Sequence, residues 1–228
     1  VDQANMADVA RRVCAAVPNM CVVIDADTGY GDERDVQITT ELWESAGASG
    51  MFLEDQVWPK KCGHMDGKQV VPTEEWLTKL KTVMNTRSDI FLTARTDARA
   101  VNGLPDALER GRMARDLGVD AVFVEAPQSL SELDQIAAAL PDVVLVANMV
   151  EKGKTPLLTP SELADRGFTL IVSPLSGLLS AAKAVGDAYD RLQSFGTLRD
   201  HLGTITAFDE FTDIVGLPKH LANDAEHR

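Results

Sequence analysis

Positive charge, cysteine and long apolar runs are all scarce in this chain of 228 residues. Lys and Arg total 22 and Asp and Glu total 35, which gives a formal net charge of −13. Nucleic acids and anionic membranes require positive patches on a protein surface, so neither is expected as a partner. No apolar run approaches the ~18 residues of a membrane span, so a membrane-spanning protein is not expected.

Cysteines number only 3, at Cys14, Cys21 and Cys62. A small, odd number in a chain of this length argues against a disulfide framework and favours a reducing compartment. We therefore expect a cytoplasmic protein. The chain opens at Val1 without Met, so a targeting signal ahead of Val1 stays an open alternative.

Six short apolar runs, rich in β-branched residues, recur along the chain. They are Cys21–Ile24, Met51–Leu53, Ile90–Thr93, Ala121–Val124, Val143–Ala147 and Leu170–Val172. Each run is nearly continuous rather than alternating, which is typical of parallel strands that are covered on both faces. Amphipathic segments with helix signals separate the runs, such as Asp35–Ala46 closed by Gly47. Strands that alternate with helices in this way predict stacked βαβ units around a parallel sheet.

Every run is followed on its C-terminal side by polar or charged residues. These are Asp25 and Asp27, Glu54 and Asp55, Arg95 and Asp97, Glu125, Asn148, and Ser173. A (β/α)8 barrel draws its catalytic groups from several strand ends on that face, whereas a doubly wound sheet gathers ligand groups at one switch point. The spread over six strands therefore predicts an α/β fold, a TIM-type (β/α)8 barrel.

The predicted barrel covers residues 1–195 and carries the active site, and a C-terminal helical extension covers residues 196–228. A barrel of this type needs eight strands, and six runs are present. We therefore expect that two βα units precede Val1 and are absent from this sequence.

The acidic residues at the first two strand ends predict a metal site. The segment 25–32, DADTGYGD, alternates acids like the start of an EF-hand loop. Tyr30 stands where that motif requires Gly, so we reject the EF-hand. Carboxylates at strand ends, here Asp25, Asp27 and Glu54, suit Mg²⁺, which takes oxygen ligands. An acidic loop that caps the next helix is the alternative interpretation.

The stretch LEDQVWPKKCGH, residues 53–64, predicts a reactive loop. Cys62 lies beside two lysines and close to His64, in a field that favours the thiolate form. An inert surface thiol is the ordinary alternative. Half of a zinc site is excluded because no second Cys or His pair is spaced to complete it.

Two further features have competing interpretations. Arg95 either pairs with a neighbouring carboxylate or clamps a substrate carboxylate with its two parallel donors. The segment Gly153-Lys154-Thr155 is similar to the end of a phosphate-binding loop, but Asn148 stands where the first Gly belongs, so that motif is rejected.

The motifs DADTGYG, EDQVWPKKCGH, TARTDA, FVEA and ANMVEKGKTP, in this order, resemble the isocitrate lyase/phosphoenolpyruvate mutase superfamily. KKCGH is typical of its carbon–carbon lyases. The C-terminal sequence is similar to the subgroup of petal death protein, oxaloacetate hydrolases and 2-alkylmalate lyases, and carboxyphosphonoenolpyruvate phosphonomutase-like proteins share much of the pattern.

The resemblance implies a lyase that uses Mg²⁺, with Mn²⁺ as the alternative metal. Its substrate would be a small 2-hydroxy- or 2-oxodicarboxylate of the 2-alkylmalate or oxaloacetate type, cleaved through an enolate. Methylisocitrate cleavage and phosphonomutase or phosphonopyruvate chemistry are the alternatives within the superfamily. A metabolite-binding barrel without catalysis is the alternative of another class.

The resemblance also implies a role for each site residue. Asp25 would lie nearest the metal, with Asp27 and Glu54 acting through bound waters. Cys62 would be the general acid/base, and Gly63 and His64 would line the same gating loop, residues 56–69. Arg95 and Asp25 would bind substrate, and Glu125 and Asn148 would complete the pocket. Family members form homotetramers in which a C-terminal helix packs on a neighbouring subunit, so the same assembly is expected here.

Overall fold

The computed structural model describes the backbone of residues 1–226 and the side chains of residues 1–223. Contacts divide the chain into two compact units, Val1–Pro174 and Leu175–Arg228. The helix after the sixth strand belongs to the second unit. The domain boundary predicted after residue 195 stays a prediction.

The first unit contains a sheet of six parallel strands in the order β1-β2-β3-β4-β5-β6. The strands are β1 Val23–Asp25, β2 Gly50–Glu54, β3 Phe91–Thr96, β4 Ala121–Val124, β5 Val144–Asn148 and β6 Leu170–Val172. The predicted parallel α/β arrangement is confirmed. Four strands continue past the predicted runs into polar residues, because backbone pairing does not stop at the first charged side chain. The predicted pair of βα units ahead of Val1 stays a prediction.

Helices connect the strands. They are α1 Gln3–Ala16, α2 Glu33–Ala46, α3 Thr73–Thr86, α4 Ala98–Val101, α5 Leu104–Leu117, α6 Leu130–Ala139 and α7 Pro160–Ala164. The apolar-run pattern did not predict α1, whose Asp2 caps the helix by accepting from the Asn5 N–H. α2 ends at Gly47 with a φ of 90°, a conformation that favours glycine. Asp32 and Asp35 form a capping box for α2, so part of the acidic 25–35 segment does cap a helix.

The core lies between these helices and the outer face of the sheet. Its largest fully buried side chains include Trp43, Trp76 and Leu53. A smaller apolar cluster on other strand positions includes Phe123. The ring of Phe52 packs edge to face on that of Phe123, with 5.9 Å between the ring centroids. This smaller cluster matters for function because the Arg95 guanidinium lies 5.2 Å from the centre of the Phe123 ring.

The second unit is helical, with α8 Ser176–Phe195, a 3-10 helix Arg199–Thr204, α9 Phe208–Ile214 and α10 Leu217–Glu226. The predicted C-terminal helical extension is interrupted between Thr204 and Phe208. Among the described helices, none is long and apolar enough to cross a membrane.

Candidate active site

Parallel pairing brings the polar strand ends to one edge of the sheet. The register sets Glu54 of β2 beside Arg95 of β3. The Glu125 N–H, directly after β4, donates to the Thr96 carbonyl at 2.9 Å. Asn148 closes β5. The chain therefore places side chains from four strands around one point, as the sequence predicted.

Glu125 is the centre of this arrangement and is only 1% exposed. Arg95 Nη2 lies 3.2 Å from its Oε2, and His64 Nε2 lies 3.3 Å from its Oε1. Asn148 Nδ2 donates to both carboxylate oxygens, at 3.3 and 3.2 Å. A guanidinium, an imidazole and an amide from separate segments thus converge on one buried carboxylate, and among the contacts described the amide alone is hydrogen-bonded to it. Such donors also suit the carboxylate groups of a substrate.

The loop after β5 orients the imidazole of His64 by contacting its Nδ1 side. The Lys154 backbone N–H donates to Nδ1 at 2.9 Å, so the ring proton lies on Nε2, facing Glu125. Gly153 packs directly on the ring, since a Cβ there would lie 2.6 Å from Nδ1. The sequence showed Gly153-Lys154 only as a rejected phosphate motif. Its contact with His64, 90 positions away, had no sequence signal.

Arg95 pairs with neighbouring carboxylates, which is one of the two roles that the sequence left open. The substrate clamp stays a prediction. Its Nε lies 2.9 Å from Asp97 Oδ2 and 3.3 Å from Glu54 Oε2. Burial works against the guanidinium charge, but Asp97, Glu125 and Glu54 together raise the pKa of Arg95 above its ordinary value. The guanidinium therefore stays charged, and its Nη2 edge faces the Glu125 centre.

The three predicted metal ligands surround the ammonium group of Lys60. Its Nζ lies 2.6 Å from Asp27 Oδ1, 3.3 Å from Asp25 Oδ2 and 3.8 Å from Glu54 Oε2. Both oxygens of Glu54 are buried without a hydrogen-bond partner in the described structure. Burial raises the pKa of Glu54 to about 8, against the opposing charges of Arg95 and Lys60.

Within the described residues, no group of three or more His, Cys, Asp or Glu side chains is arranged ready to hold a metal ion. The Lys60 ammonium lies among the three predicted ligands. The donor set is nonetheless of the kind that Mg²⁺ takes, and Glu54 offers two unsatisfied buried oxygens. Asp25, Asp27 and Glu54 therefore fit a hard divalent cation chemically.

The loop that carries Cys62 lies directly on this site. Gly63 is buried, and a Cβ added to it would lie 2.4 Å from Glu125 Cδ and 2.8 Å from Arg95 Nη2. The site thus requires glycine at this position. Cys62 itself is exposed, and its role as acid/base stays a prediction.

Asp55 is the second carboxylate of the predicted strand-end pair, and its partners are residues that hold the fold together. It accepts from the Thr96 hydroxyl at 2.6 Å and from the Asp97 N–H at 2.8 Å, and Arg110 Nη1 lies 3.1 Å away. Burial raises the pKa of Asp55 to about 6. These contacts join β2, β3 and α5 beneath the site. Sequence reasoning missed Arg110, which is 55 positions from Asp55.

Comparisons with known proteins give matches over most of the chain. Residues 1–193 match the family described as phosphoenolpyruvate phosphomutase. The chain is 46% identical over 212 residues to the petal death protein of Dianthus caryophyllus, covering 92% of this chain and 66% of that protein. It is 40% identical over 215 residues to 2,3-dimethylmalate lyase of Eubacterium barkeri, covering 93% of this chain and 72% of that protein.

Among solved structures, oxaloacetate acetylhydrolase in complex with the inhibitor 3,3-difluorooxalacetate matches with a TM-score of 0.92 at 33% identity. The match covers 100% of this chain and 77% of that chain. It confirms the predicted TIM-type α/β fold class. The chain spans about two thirds of the length of the petal death protein, 66%. From these matches we conclude that the chain belongs to the phosphoenolpyruvate phosphomutase family of enzymes, within the isocitrate lyase/PEP mutase superfamily of lyases and mutases.

Proposed function

We propose that this chain carries the site of a Mg²⁺-dependent carbon–carbon lyase for a small 2-hydroxy- or 2-oxodicarboxylate. The observation that carries the proposal is the convergence of Arg95, His64 and Asn148 on Glu125, beneath the loop that contains Cys62. The named activities of 2,3-dimethylmalate lyase and oxaloacetate acetylhydrolase support this substrate class.

The metal would be held by Asp25, Asp27 and Glu54, the carboxylates that now surround Lys60. When bound, Mg²⁺ supplies Lewis-acid chemistry toward the substrate carboxylate and the oxygen on C2. The family resemblance also allows Mn²⁺ in its place, because both ions take carboxylate ligands.

The donors around Glu125 bind and orient the substrate. Arg95 offers a charged, fixed Nη2 edge to one carboxylate, and Asn148 and His64 donate beside it. Well-aimed donors of this kind stabilise developing charge by roughly 3–4 kcal/mol each. They act in a buried environment, where the exclusion of water strengthens each interaction.

Bond cleavage leaves an electron pair that this chain must protonate. The Glu125 carboxylate takes the hydroxyl proton of a 2-hydroxy acid, the C2–C3 bond breaks, and C2 becomes a carbonyl while the electron pair stays on C3 as an enolate. A hydrated 2-oxo acid follows the same course. Cys62 then donates its thiol proton to C3, a step worth about 10²–10⁴-fold in rate. Movement of the 56–69 loop brings the thiol to the substrate.

A product assay with Mg²⁺ tests the proposed function. The panel contains oxaloacetate, 2-alkylmalates, methylisocitrate and phosphonopyruvate. We expect cleavage of oxaloacetate or a 2-alkylmalate to be the fastest reaction. Phosphonopyruvate as the best substrate would instead support phosphonomutase-type chemistry, which the matched family description favours as the second candidate. Absence of turnover, with calorimetric binding of the same acids, would support a binding protein.

We also propose that the protein forms a homotetramer in which a C-terminal helix packs on a neighbouring subunit. The second unit exposes large apolar side chains that suit burial in an interface, including Phe208 at 84% and Ile214 at 69%. Light scattering after size-exclusion chromatography measures the assembly. Phe208→Asp should dissociate it, whereas Leu157→Asp, at an exposed position of the first unit, should not.

A further inference from the structure

Lys68 lies in the Cys62 loop, yet its side chain is almost completely buried, with 1% of its surface exposed. Its ammonium group donates to the Gly63 carbonyl and to Asp97 Oδ1, the latter at 2.8 Å. A buried ammonium is costly unless it is paired and hydrogen-bonded, and both conditions are met here. These two partners explain why a lysine is buried in a loop whose residues are mostly exposed.

One partner of Lys68 belongs to the loop and the other lies outside it. Gly63, the partner within the loop, packs on Glu125 and Arg95. Asp97 follows β3 and is fully buried. Lys68 therefore connects the tip of the loop to the fixed end of a strand, whereas the base of the loop is held separately by the Gln56–Val70 bridge.

Asp97 also binds Arg95, with its Oδ2 2.9 Å from Nε. Asp97 Oδ1 thus accepts from Lys68 of the loop and, at 3.4 Å, from Arg95 Nη2, while Oδ2 accepts from Arg95 Nε. Loss of the Lys68 contact would remove the loop's attachment to Asp97 and one of the two cations that share this carboxylate. The position of the loop and the orientation of Arg95 are physically connected through Asp97.

We propose that Lys68 is a positioning residue that holds the loop carrying Cys62 and His64 closed over the site. Its effect on turnover rests on the proposed lyase function, and its effect on the loop does not. Lys68 touches neither substrate nor metal in this proposal. It acts through Gly63 and Asp97.

The test compares Lys68→Met with Lys61→Met in the full chain. Lys61 is the matched control because it lies in the same loop and donates to a backbone carbonyl, that of Gly67, but is exposed. Hydrogen–deuterium exchange of peptides from residues 57–69 is the primary readout. We expect exchange at least tenfold faster in Lys68→Met and unchanged in Lys61→Met. Equal rates in the two variants and the wild type would overturn the proposal.

A second arm separates positioning from general loss of stability. Lys68→Arg retains a charged donor for Asp97 and should restore slow exchange, whereas Lys68→Gln, an uncharged donor, should not. If Lys68→Met does not fold, the comparison of these two variants tests the proposal in its place.

With the best substrate of the panel, Lys68→Met should lower kcat at least tenfold and change KM less than threefold. A wild type that is inactive on every acid removes the lyase proposal and leaves the exchange result standing, while fast exchange in Lys68→Arg would remove the proposed contact.

Discussion

Nζ of Lys60 lies 2.6 Å from Oδ1 of Asp27, in the position where the sequence predicts a metal ion. Asp25 and Glu54 lie within 3.8 Å of the same nitrogen. The single positive charge of the ammonium offsets part of the repulsion among these three acidic groups. Lys60 therefore competes with a divalent cation for one set of ligands.

Replacing Lys60 with Met should tighten Mg²⁺ binding. The competing charge is lost and the carboxylates remain, so we expect an increase on the order of tenfold, about 1.4 kcal/mol. The melting temperature without Mg²⁺ should fall, because three acids lose their counter-charge. Isothermal calorimetry and thermal unfolding with and without Mg²⁺ measure both effects. Lys61→Met is the control, and Asp25→Ala should weaken Mg²⁺ binding. Weaker binding in Lys60→Met would contradict the competition.

Cys62→Ser should lower kcat by about 10²–10⁴-fold and leave substrate binding nearly unchanged, because a hydroxyl is a much weaker acid than a thiol. Steady-state kinetics with the best dicarboxylate, together with calorimetric binding of oxalate, separates the two quantities. Cys21→Ser, at the other exposed cysteine, is the matched control. Wild-type turnover in Cys62→Ser would remove this residue from the mechanism.

Gly63→Ala should displace the loop from the site. The added methyl group would meet Glu125 Cδ at 2.4 Å, a distance that real side chains do not tolerate. A displacement of about 1 Å in a catalytic loop costs roughly 10²-fold in kcat/KM. The melting temperature should change little, since the loop can move outward. Met65→Ala, at an exposed position of the same loop, should keep wild-type kinetics, and equal kinetics in both variants would exclude the close packing.

Glu44 should contribute pH-dependent stability away from the site. Its Oε1 accepts the backbone N–H groups of Ser88, Asp89 and Ile90 at 2.7, 2.9 and 3.1 Å, between α3 and β3. Burial acts to raise the pKa of Glu44, but these hydrogen bonds prevail and lower it below the ordinary 4.5. The carboxylate therefore stabilises the fold above the unfolded-state pKa, and this stability is lost as pH falls through the lower, folded-state value.

Glu44→Gln should accordingly lower the free energy of unfolding by about 1 kcal/mol near neutral pH, and the difference should vanish in acid. Urea unfolding across that pH range measures the effect. Glu41→Gln is the control, since Glu41 lies in the same helix and binds only the Gln37 amide among the contacts described. A pH-independent difference would show that the carboxylate charge is not the cause.

Local sequence patterns were sufficient for the elements and for the candidate residues. Continuous β-branched runs predicted all six strands of the described sheet, because residues buried on both faces must be apolar throughout. α1 was not predicted. α1 follows no strand within this sequence, and its burial depends on contacts such as that of Gln3 with Thr39, 36 positions away.

The sequence by itself determined the α/β class, the polar strand ends and the loop containing Cys62, because these depend on periodicity and on neighbours along the chain. Only the tertiary structure decided that Lys60 lies among the carboxylates, that His64 rests on Lys154, and that Lys68 reaches Asp97, 29 positions away. Such contacts follow from strand register and loop packing. A charged residue in a loop has the same local pattern whether it faces solvent or a buried partner.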